Sequence, residues 1–134
     1  MADLANLPTR DVHGNLRAVV ETPRGSTAKL KFDPDLQAFT FSRPLVLGVS
    51  YPYDFGFFPS TVAPDGDPLD VLIYHEAATY PGVVVPCRPL GVVGVSQRSN
   101  TGGRERNDRV IVVPARAPRF DDIDGLPMRV RQEI

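Results

Sequence analysis

The 134-residue chain contains one cysteine, two lysines and no tryptophan, and its net charge is only −1. The single cysteine, Cys87, excludes an internal disulfide bond and fits a reducing compartment, so we expect a cytoplasmic protein. No apolar run approaches the length of a membrane helix, and the first residues lack the basic and apolar regions of a signal peptide. The near-neutral charge argues against a dedicated nucleic-acid binder. The length of the chain predicts one domain over residues 1–134, and we expect residues 1–14 to be flexible.

Fourteen prolines and eleven glycines punctuate the chain and favour short strands over long helices. Alternating patterns and continuous apolar runs predict strands at 17–21, 29–32, 38–41, 71–74, 83–86, 90–96 and 110–113. The polar stretch 97–109 is predicted to be an exposed loop, and a short helix is predicted to begin near Pro127. Short strands separated by turns predict a mainly β (α+β) fold built on a closed or partly open barrel.

The most informative motif is Asp65-Gly66-Asp67-Pro68-Leu69-Asp70, which places three carboxylates within six residues. Its glycine and proline force a turn, and the predicted strand that follows holds the acids at the end of a rigid element. Carboxylates this close repel each other unless a cation joins them. Oxygen-only ligands favour hard ions such as Mg²⁺, Mn²⁺ or Ca²⁺. The motif therefore predicts a Mg²⁺ site, with a solvated acidic turn as the alternative.

Residues Asp65 to Val71, preceded by Tyr51-Pro-x-x-x-Gly56, strongly resemble the signature of the soluble, Mg²⁺-dependent (family I) inorganic pyrophosphatases. Other segments similar to the family lie in the right order before and after this motif, so that the resemblance covers roughly residues 17–127. They are Glu21-Thr-Pro-x-Gly-Ser, Lys29, Arg43, Cys87-Arg-Pro-Leu-Gly-Val92 and the strand that ends at Pro114. The resemblance implies a small OB-like five-stranded β-barrel with peripheral short helices. It also implies an inorganic diphosphatase that hydrolyses pyrophosphate to two phosphates with Mg²⁺, or alternatively Mn²⁺, and that forms a homo-oligomer, a hexamer or smaller.

The resemblance gives the three carboxylates of the motif separate roles. Because pyrophosphate repels an anionic nucleophile, metal ions must screen its charge and a metal-bound water must lose a proton near neutral pH. Asp65 and Asp70 match ligands of the first metals. Asp67 also matches a metal-contacting residue, and it matches the general base that deprotonates the attacking water.

Basic and aromatic residues outside the motif match the substrate-binding groups of the family. Lys29 and Arg43 match cations that hold phosphoryl oxygens, and Arg109 stands where the family has a lysine with the same task. Tyr51 matches an aromatic residue of the cavity, and Glu21 matches a glutamate of its outer ring. Solvated charges at strand ends and, for Tyr51, core packing are the alternatives.

Four positions depart from the family pattern and weaken the predicted metal site. A glutamate is replaced by a lysine, a tyrosine by a phenylalanine and two aspartates by amides, at Lys31, Phe55, Gln97 and Asn107 respectively. Because the loop between the two amides is longer than in compact bacterial members, a small shift of register lets Asp108 or Glu105 supply a carboxylate. The C-terminal helix of the family has no counterpart before Ile134.

The substitutions change the charge of the predicted metal site. Two unit charges about 4 Å apart interact by about 4 kcal/mol at an effective dielectric constant of about 20, so replacing carboxylates by amides and a lysine should weaken Mg²⁺ binding steeply. Alternatively, the positive charge of Lys31 takes the place of one metal ion in binding the substrate.

Three interpretations of the function remain open. An active but divergent pyrophosphatase is the leading interpretation, and an inactive relative that binds metal–phosphate ligands or a paralogous subunit is the second. The third is a nucleic-acid module that stacks bases on Tyr51, Tyr53, Phe55 and Phe57.

Two further side-chain types are assigned no chemistry. Cys87 is expected to pack as a small apolar residue. His13 and His75 have no partner at the spacing of metal ligands, so both are expected to be solvated or packed in the core.

Overall fold

The computed structural model describes residues 3–94, 96–98, 103–106 and 108–116. This part contains one short 3-10 helix, Leu4–Asn6, and nine strands. The strands are β1 (Leu16–Thr22), β2 (Ala28–Asp33), β3 (Ala38–Pro44), β4 (Asp54–Phe57), β5 (Asp70–Ile73), β6 (Val84–Val93), β7 (Ser96–Arg98), β8 (Arg104–Arg106) and β9 (Arg109–Pro114). Five of them close a barrel in the order β1-β4-β5-β9-β6, while β2-β3 and β7-β8 form two separate hairpins.

The barrel is antiparallel except at one junction. Strands β5 and β9 run parallel, with Asp70 opposite Arg109 and Ile73 opposite Val112. This arrangement confirms the predicted mainly β fold with an OB-like five-stranded barrel. Helix is nearly absent from the described residues, and the helix predicted near Pro127 lies outside them.

Two apolar clusters lie on the two faces of the barrel wall, because side chains of a strand alternate between its faces. One cluster draws on four barrel strands, as a barrel interior does, and contains Ala18, Val20, Phe58, Val71, Ile73, Val85, Cys87 and Val112. The other contains Tyr53, Leu72, Leu90, Ile111 and Val113. As predicted, Cys87 packs as an apolar residue, and burial raises the pKa of its thiol to about 12.

Several strand boundaries differ from the sequence-based predictions. The predicted strands 83–86 and 90–96 form the single strand β6, with a shift of register between Pro89 and Gly91. The prediction of a loop over 97–109 is wrong in part, because β7 and β8 pair within this stretch. Their charged and polar residues give no apolar alternation, so the sequence pattern carried no strand signal.

Strand β4 was missed because proline and glycine surround it in the sequence. Its Gly56 pairs with Val20 of β1 on one side and Val71 of β5 on the other. A Cβ atom at position 56 would overlap the carbonyl oxygen of Val19, so only glycine allows β1 to approach this closely.

Residues 3–14, predicted to be flexible, make defined contacts with the barrel. The amide of Ser60 donates to the carbonyl oxygen of Ala5 at 2.8 Å, and the amide of Arg17 donates to that of Thr9 at 2.8 Å. Thr9 Oγ1 also donates to the carbonyl oxygen of Pro59 at 2.8 Å. The flexibility of this segment remains a prediction.

Candidate active site

Strands β2 and β3 supply a row of cations at one end of the barrel. Lys29 and Lys31 lie two residues apart on β2 and therefore on the same face of the strand. Lys29 lies opposite Arg43 of β3. Burial lowers the pKa of the Lys29 ammonium, and the nearby charges of Lys31 and Arg43 lower it further, whereas Asp70 and Glu21 raise it. The cations are thus close enough to influence one another.

Glu21, near the end of β1, faces these cations. It is half-buried, and its Oε2 accepts a hydrogen bond from the amide of Phe32 at 2.8 Å. Burial raises the pKa of the Glu21 carboxyl, an effect that the Phe32 amide and Lys31 oppose without cancelling. The glutamate is therefore fixed by a backbone donor and lies within reach of the charge of Lys31.

The parallel junction of β5 and β9 brings a carboxylate and a guanidinium group together. Asp70 and Arg109 lie opposite each other at the first pair of this junction, and both are half-buried. Within the described part of the chain, Nε of Arg109 is buried and has no hydrogen-bond partner. A buried donor without a partner costs free energy, and a bound anion would satisfy it.

The turn that precedes β5 carries the other two acids of the motif. Asp65 is exposed, and its Oδ1 accepts the amide of Asp67 at 3.0 Å, which holds the turn. Oδ2 of Asp67 lies 3.8 Å from Nζ of Lys31. A cavity of about 100 Å³ is lined by four charged side chains, together with Ala5, Phe32, Pro34, Phe57 and Pro68, and the charged ones are Glu21, Lys31, Asp67 and Asp70.

Tyr51 lies close enough to Arg43, Arg109 and Glu21 for their charges to act on its hydroxyl. It is half-buried and packs edge-on against Phe55, with ring centroids 4.9 Å apart. Burial raises the pKa of its hydroxyl, although the nearby charges of Arg43 and Arg109 lower it. Tyr51 also borders a second cavity of about 280 Å³, with Arg24 among its lining residues.

The structure brings together most of the site residues predicted from the sequence. These are Glu21, Lys29, Lys31, Arg43, Tyr51, Asp67, Asp70 and Arg109. Asp65 lies on the same turn but outside the lining of the cavity. Gln97 lies opposite Glu105 in the β7-β8 hairpin. Asp108 is half-buried, whereas Asn107 and the side chains of Gln97 and Glu105 lie outside what the structure describes.

The carboxylates present fit a Mg²⁺ ion whose remaining ligands are water molecules and phosphate oxygens. Among the described residues, no three His, Cys, Asp or Glu side chains lie close enough to form a metal cage. Mg²⁺ does not need such a cage, because it commonly uses one or two carboxylates, several waters and the phosphates of its substrate. Asp67 and Asp70 line one cavity and can provide those carboxylates.

The interpretation as a base-stacking module fails for two of its four aromatic residues. Tyr53 is only 4% exposed and Phe57 only 3%, so both rings belong to the packed barrel. A stacking platform needs exposed aromatic faces.

A buried carboxylate that the sequence did not indicate joins strand β4 to two other segments, at residue 24 and at residues 75–79. Asp54 is fully buried and accepts hydrogen bonds from Thr79 Oγ1 at 2.6 Å and from the amide of Arg24 at 2.7 Å, while His75 Nε2 lies 2.5 Å from its Oδ2. Burial raises the pKa of Asp54, but these hydrogen bonds outweigh it and hold the pKa below the usual value. His75 was expected to be solvated or packed in the core, and its side chain is 11% exposed beside Asp54. No spacing rule could have revealed a pair that lies 21 residues apart.

Comparisons with known proteins agree on one family. The profile of the family described as inorganic pyrophosphatase matches residues 18–134. The inorganic pyrophosphatase of a Synechocystis species is 38% identical over 124 residues, which is 92% of this chain and 70% of that protein. The Thermus thermophilus enzyme is 40% identical over 135 residues, covering all of this chain and 76% of its own.

Solved structures give the same result. The crystal structure of inorganic pyrophosphatase from Thermus thermophilus superposes with a TM-score of 0.88 at 39% identity, covering 98% of this chain and 75% of that one. The inorganic pyrophosphatase from Neisseria gonorrhoeae superposes with a TM-score of 0.82 at 31% identity, covering 95% of this chain and 73% of that one.

Proposed function

The chain belongs to the inorganic pyrophosphatase family, and on this basis we propose that it is an inorganic diphosphatase that hydrolyses pyrophosphate to two phosphates. The observation that carries the proposal is the mixed cluster of cations and carboxylates at one end of the barrel. Cations are needed to bind a polyanion, and carboxylates are needed to bind metal and accept a proton.

Three cations bind and orient the substrate. Lys29 and Arg43 lie opposite each other on the β2-β3 hairpin and present two positive charges side by side. Arg109 adds a guanidinium group whose buried Nε has no partner in the described part of the chain. A planar guanidinium can hold two phosphate oxygens at once, so Arg109 suits the phosphate nearest the barrel.

Asp67 is proposed to accept the proton of the attacking water. Its carboxylate borders the cavity and is 63% exposed, so a water molecule can reach it. The ammonium of Lys31 lies 3.8 Å from Oδ2 of this carboxylate. Asp70 is half-buried beside Arg109 and lines the same cavity.

Mg²⁺, or alternatively Mn²⁺, is the proposed cofactor, with Asp67, Asp70 and Asp65 as its protein ligands. When bound, the ion screens the phosphate charge and makes the water more acidic. Of these three ligands, Asp67 and Asp70 have support from the cavity they share. The contribution of Asp65 rests on the sequence motif.

We further propose a cytoplasmic homo-oligomer. In support of an oligomer, apolar side chains are exposed on and after the β2-β3 hairpin, where Leu36 is 66%, Val46 77% and Leu47 100% accessible. Exposed apolar patches commonly mark protein interfaces. Sedimentation of the full chain tests this, and a monomer at micromolar concentration would contradict it. Separately, none of the described helices is long and apolar enough to cross a membrane.

The experiment that tests the proposed function measures phosphate release from pyrophosphate with Mg²⁺, with Mn²⁺ and with EDTA. We expect metal-dependent release by the unmodified protein and a loss of about 100-fold or more in Asp67→Asn, which cannot accept the proton. Asp35→Asn is the matched control, because Asp35 is an exposed acid in the turn between β2 and β3.

The result that would overturn the proposed function is equally specific. If the unmodified protein releases no more phosphate than Asp67→Asn with either metal, the chain is a relative that kept the fold but lost the reaction.

A further inference from the structure

Lys31 extends into the cavity that the carboxylates line. Its Nζ lies 3.8 Å from Oδ2 of Asp67, and its charge also acts on Glu21 across the cavity. The lysine side chain is 48% exposed and the aspartate 63%, so both remain accessible to an entering ion. An ammonium group therefore already stands beside a carboxylate that a divalent cation would use.

The charges around the cavity determine how Lys31 acts on an ion that enters it. The lining contains three carboxylates, Glu21, Asp67 and Asp70, and one cation, Lys31. Lys29 is close enough for its charge to act on Glu21. A divalent cation that approaches Asp67 is repelled by the Lys31 ammonium, whereas a phosphate group that enters the cavity is attracted by it.

We propose that Lys31 is a built-in cation of the site, which competes with a divalent metal ion for Asp67 and contacts a phosphoryl oxygen of the bound diphosphate. The inference rests on the proposed function and deepens it, because it assigns one positive charge of the site to the chain instead of a metal. A phosphate oxygen that reaches Lys31 replaces Asp67 as its partner. Asp67 can then bind the metal ion and accept the proton of the attacking water.

The first arm of the test measures metal binding without substrate. Mn²⁺ is titrated into the metal-free protein by calorimetry, for the unmodified chain, Lys31→Gln and Lys31→Glu. We expect Lys31→Gln to bind Mn²⁺ about 3- to 10-fold more tightly, which is the range for a partly exposed charge pair. Lys31→Glu should bind more tightly still, because it adds a carboxylate.

The second arm measures anion binding without metal. Imidodiphosphate, a diphosphate that resists hydrolysis, is titrated in EDTA. We expect Lys31→Gln to weaken its binding about 10-fold, because a charge-assisted hydrogen bond is lost. Arg116→Gln is the matched control in both arms, since it removes one positive charge from an exposed residue beyond the far end of β9.

The two binding measurements together decide whether Lys31 acts as a cation of the site. Tighter Mn²⁺ binding together with weaker imidodiphosphate binding supports the proposal, and unchanged affinity in either arm contradicts it. Equal effects in Arg116→Gln would also contradict it, because they would mean that net charge alone is responsible. Neither arm depends on turnover, so an active enzyme with two unchanged arms retains the proposed function but loses this role for Lys31.

Discussion

At the scale of single residues, the buried carboxylate of Asp54 fixes the backbone next to a residue of the site. Its carboxylate binds the amide of Arg24, next to the segment that holds Tyr51. The amide of Gly25 donates to the Tyr51 carbonyl oxygen at 2.8 Å, and the Tyr51 amide donates to that of Ser26 at 3.0 Å. Asp54 therefore helps to fix the backbone of Tyr51.

Replacing Asp54 should destabilise the protein in a pH-dependent manner. Asp54→Asn removes the charge that its donors satisfy, and we expect a loss of about 2 to 4 kcal/mol in the free energy of unfolding at pH 7. Because the folded-state pKa lies below the unfolded value of 3.8, the stabilisation is present above that value and is lost as the pH falls through the folded-state pKa.

The measurement is the thermal midpoint of the unmodified protein and of Asp54→Asn from pH 7 down to pH 3. The gap between the two should narrow in the most acidic part of this range. Asp35→Asn, at an exposed turn, should change stability by less than about 0.5 kcal/mol. A gap that stays constant over the whole range would show that the charge of Asp54 does not provide the stability.

At the scale of strands, the close approach of β4 to β1 depends on one glycine. Gly56→Ala places a Cβ against the backbone of Val19, which cannot move without breaking the barrel. We expect a loss of more than about 3 kcal/mol, measured by denaturant unfolding, or a failure to fold. Gly48→Ala, in an open turn with a φ angle of +86°, should lose only about 1 kcal/mol. Equal losses would refute the steric explanation.

The strands also show what the sequence could predict. The run Val110-Ile-Val-Val113 gave a strand in the right place, because burial leaves a visible apolar pattern. The alternation over 38–41 also gave a strand in the right place, although Phe41 is 64% exposed. Strand β4 and the β7-β8 hairpin left no such pattern. The first is interrupted by glycine, and the strands of the second contain only polar and charged residues.

At the scale of the whole molecule, the barrel brings distant segments to one end. The parallel junction of β5 and β9 places Asp70 next to Arg109, and β1 brings Glu21 to the same cluster. The acidic motif and its family resemblance predicted which residues take part. They could not predict that Lys31 faces Asp67, because that contact depends on how the β2-β3 hairpin lies against the barrel.

Pyrophosphate hydrolysis is assigned to this one end of the barrel. Strand β9 allows a direct test, because Arg109 lies at its start, beside the carboxylates, and the exposed Arg116 lies just beyond its other end. The measurement is kcat/KM for pyrophosphate with Mg²⁺ in Arg109→Gln and Arg116→Gln. We predict a loss of about 100-fold in Arg109→Gln, because a phosphate-binding cation is removed, and no loss in Arg116→Gln. Equal activity of the two variants would contradict the assignment of hydrolysis to this end of the barrel.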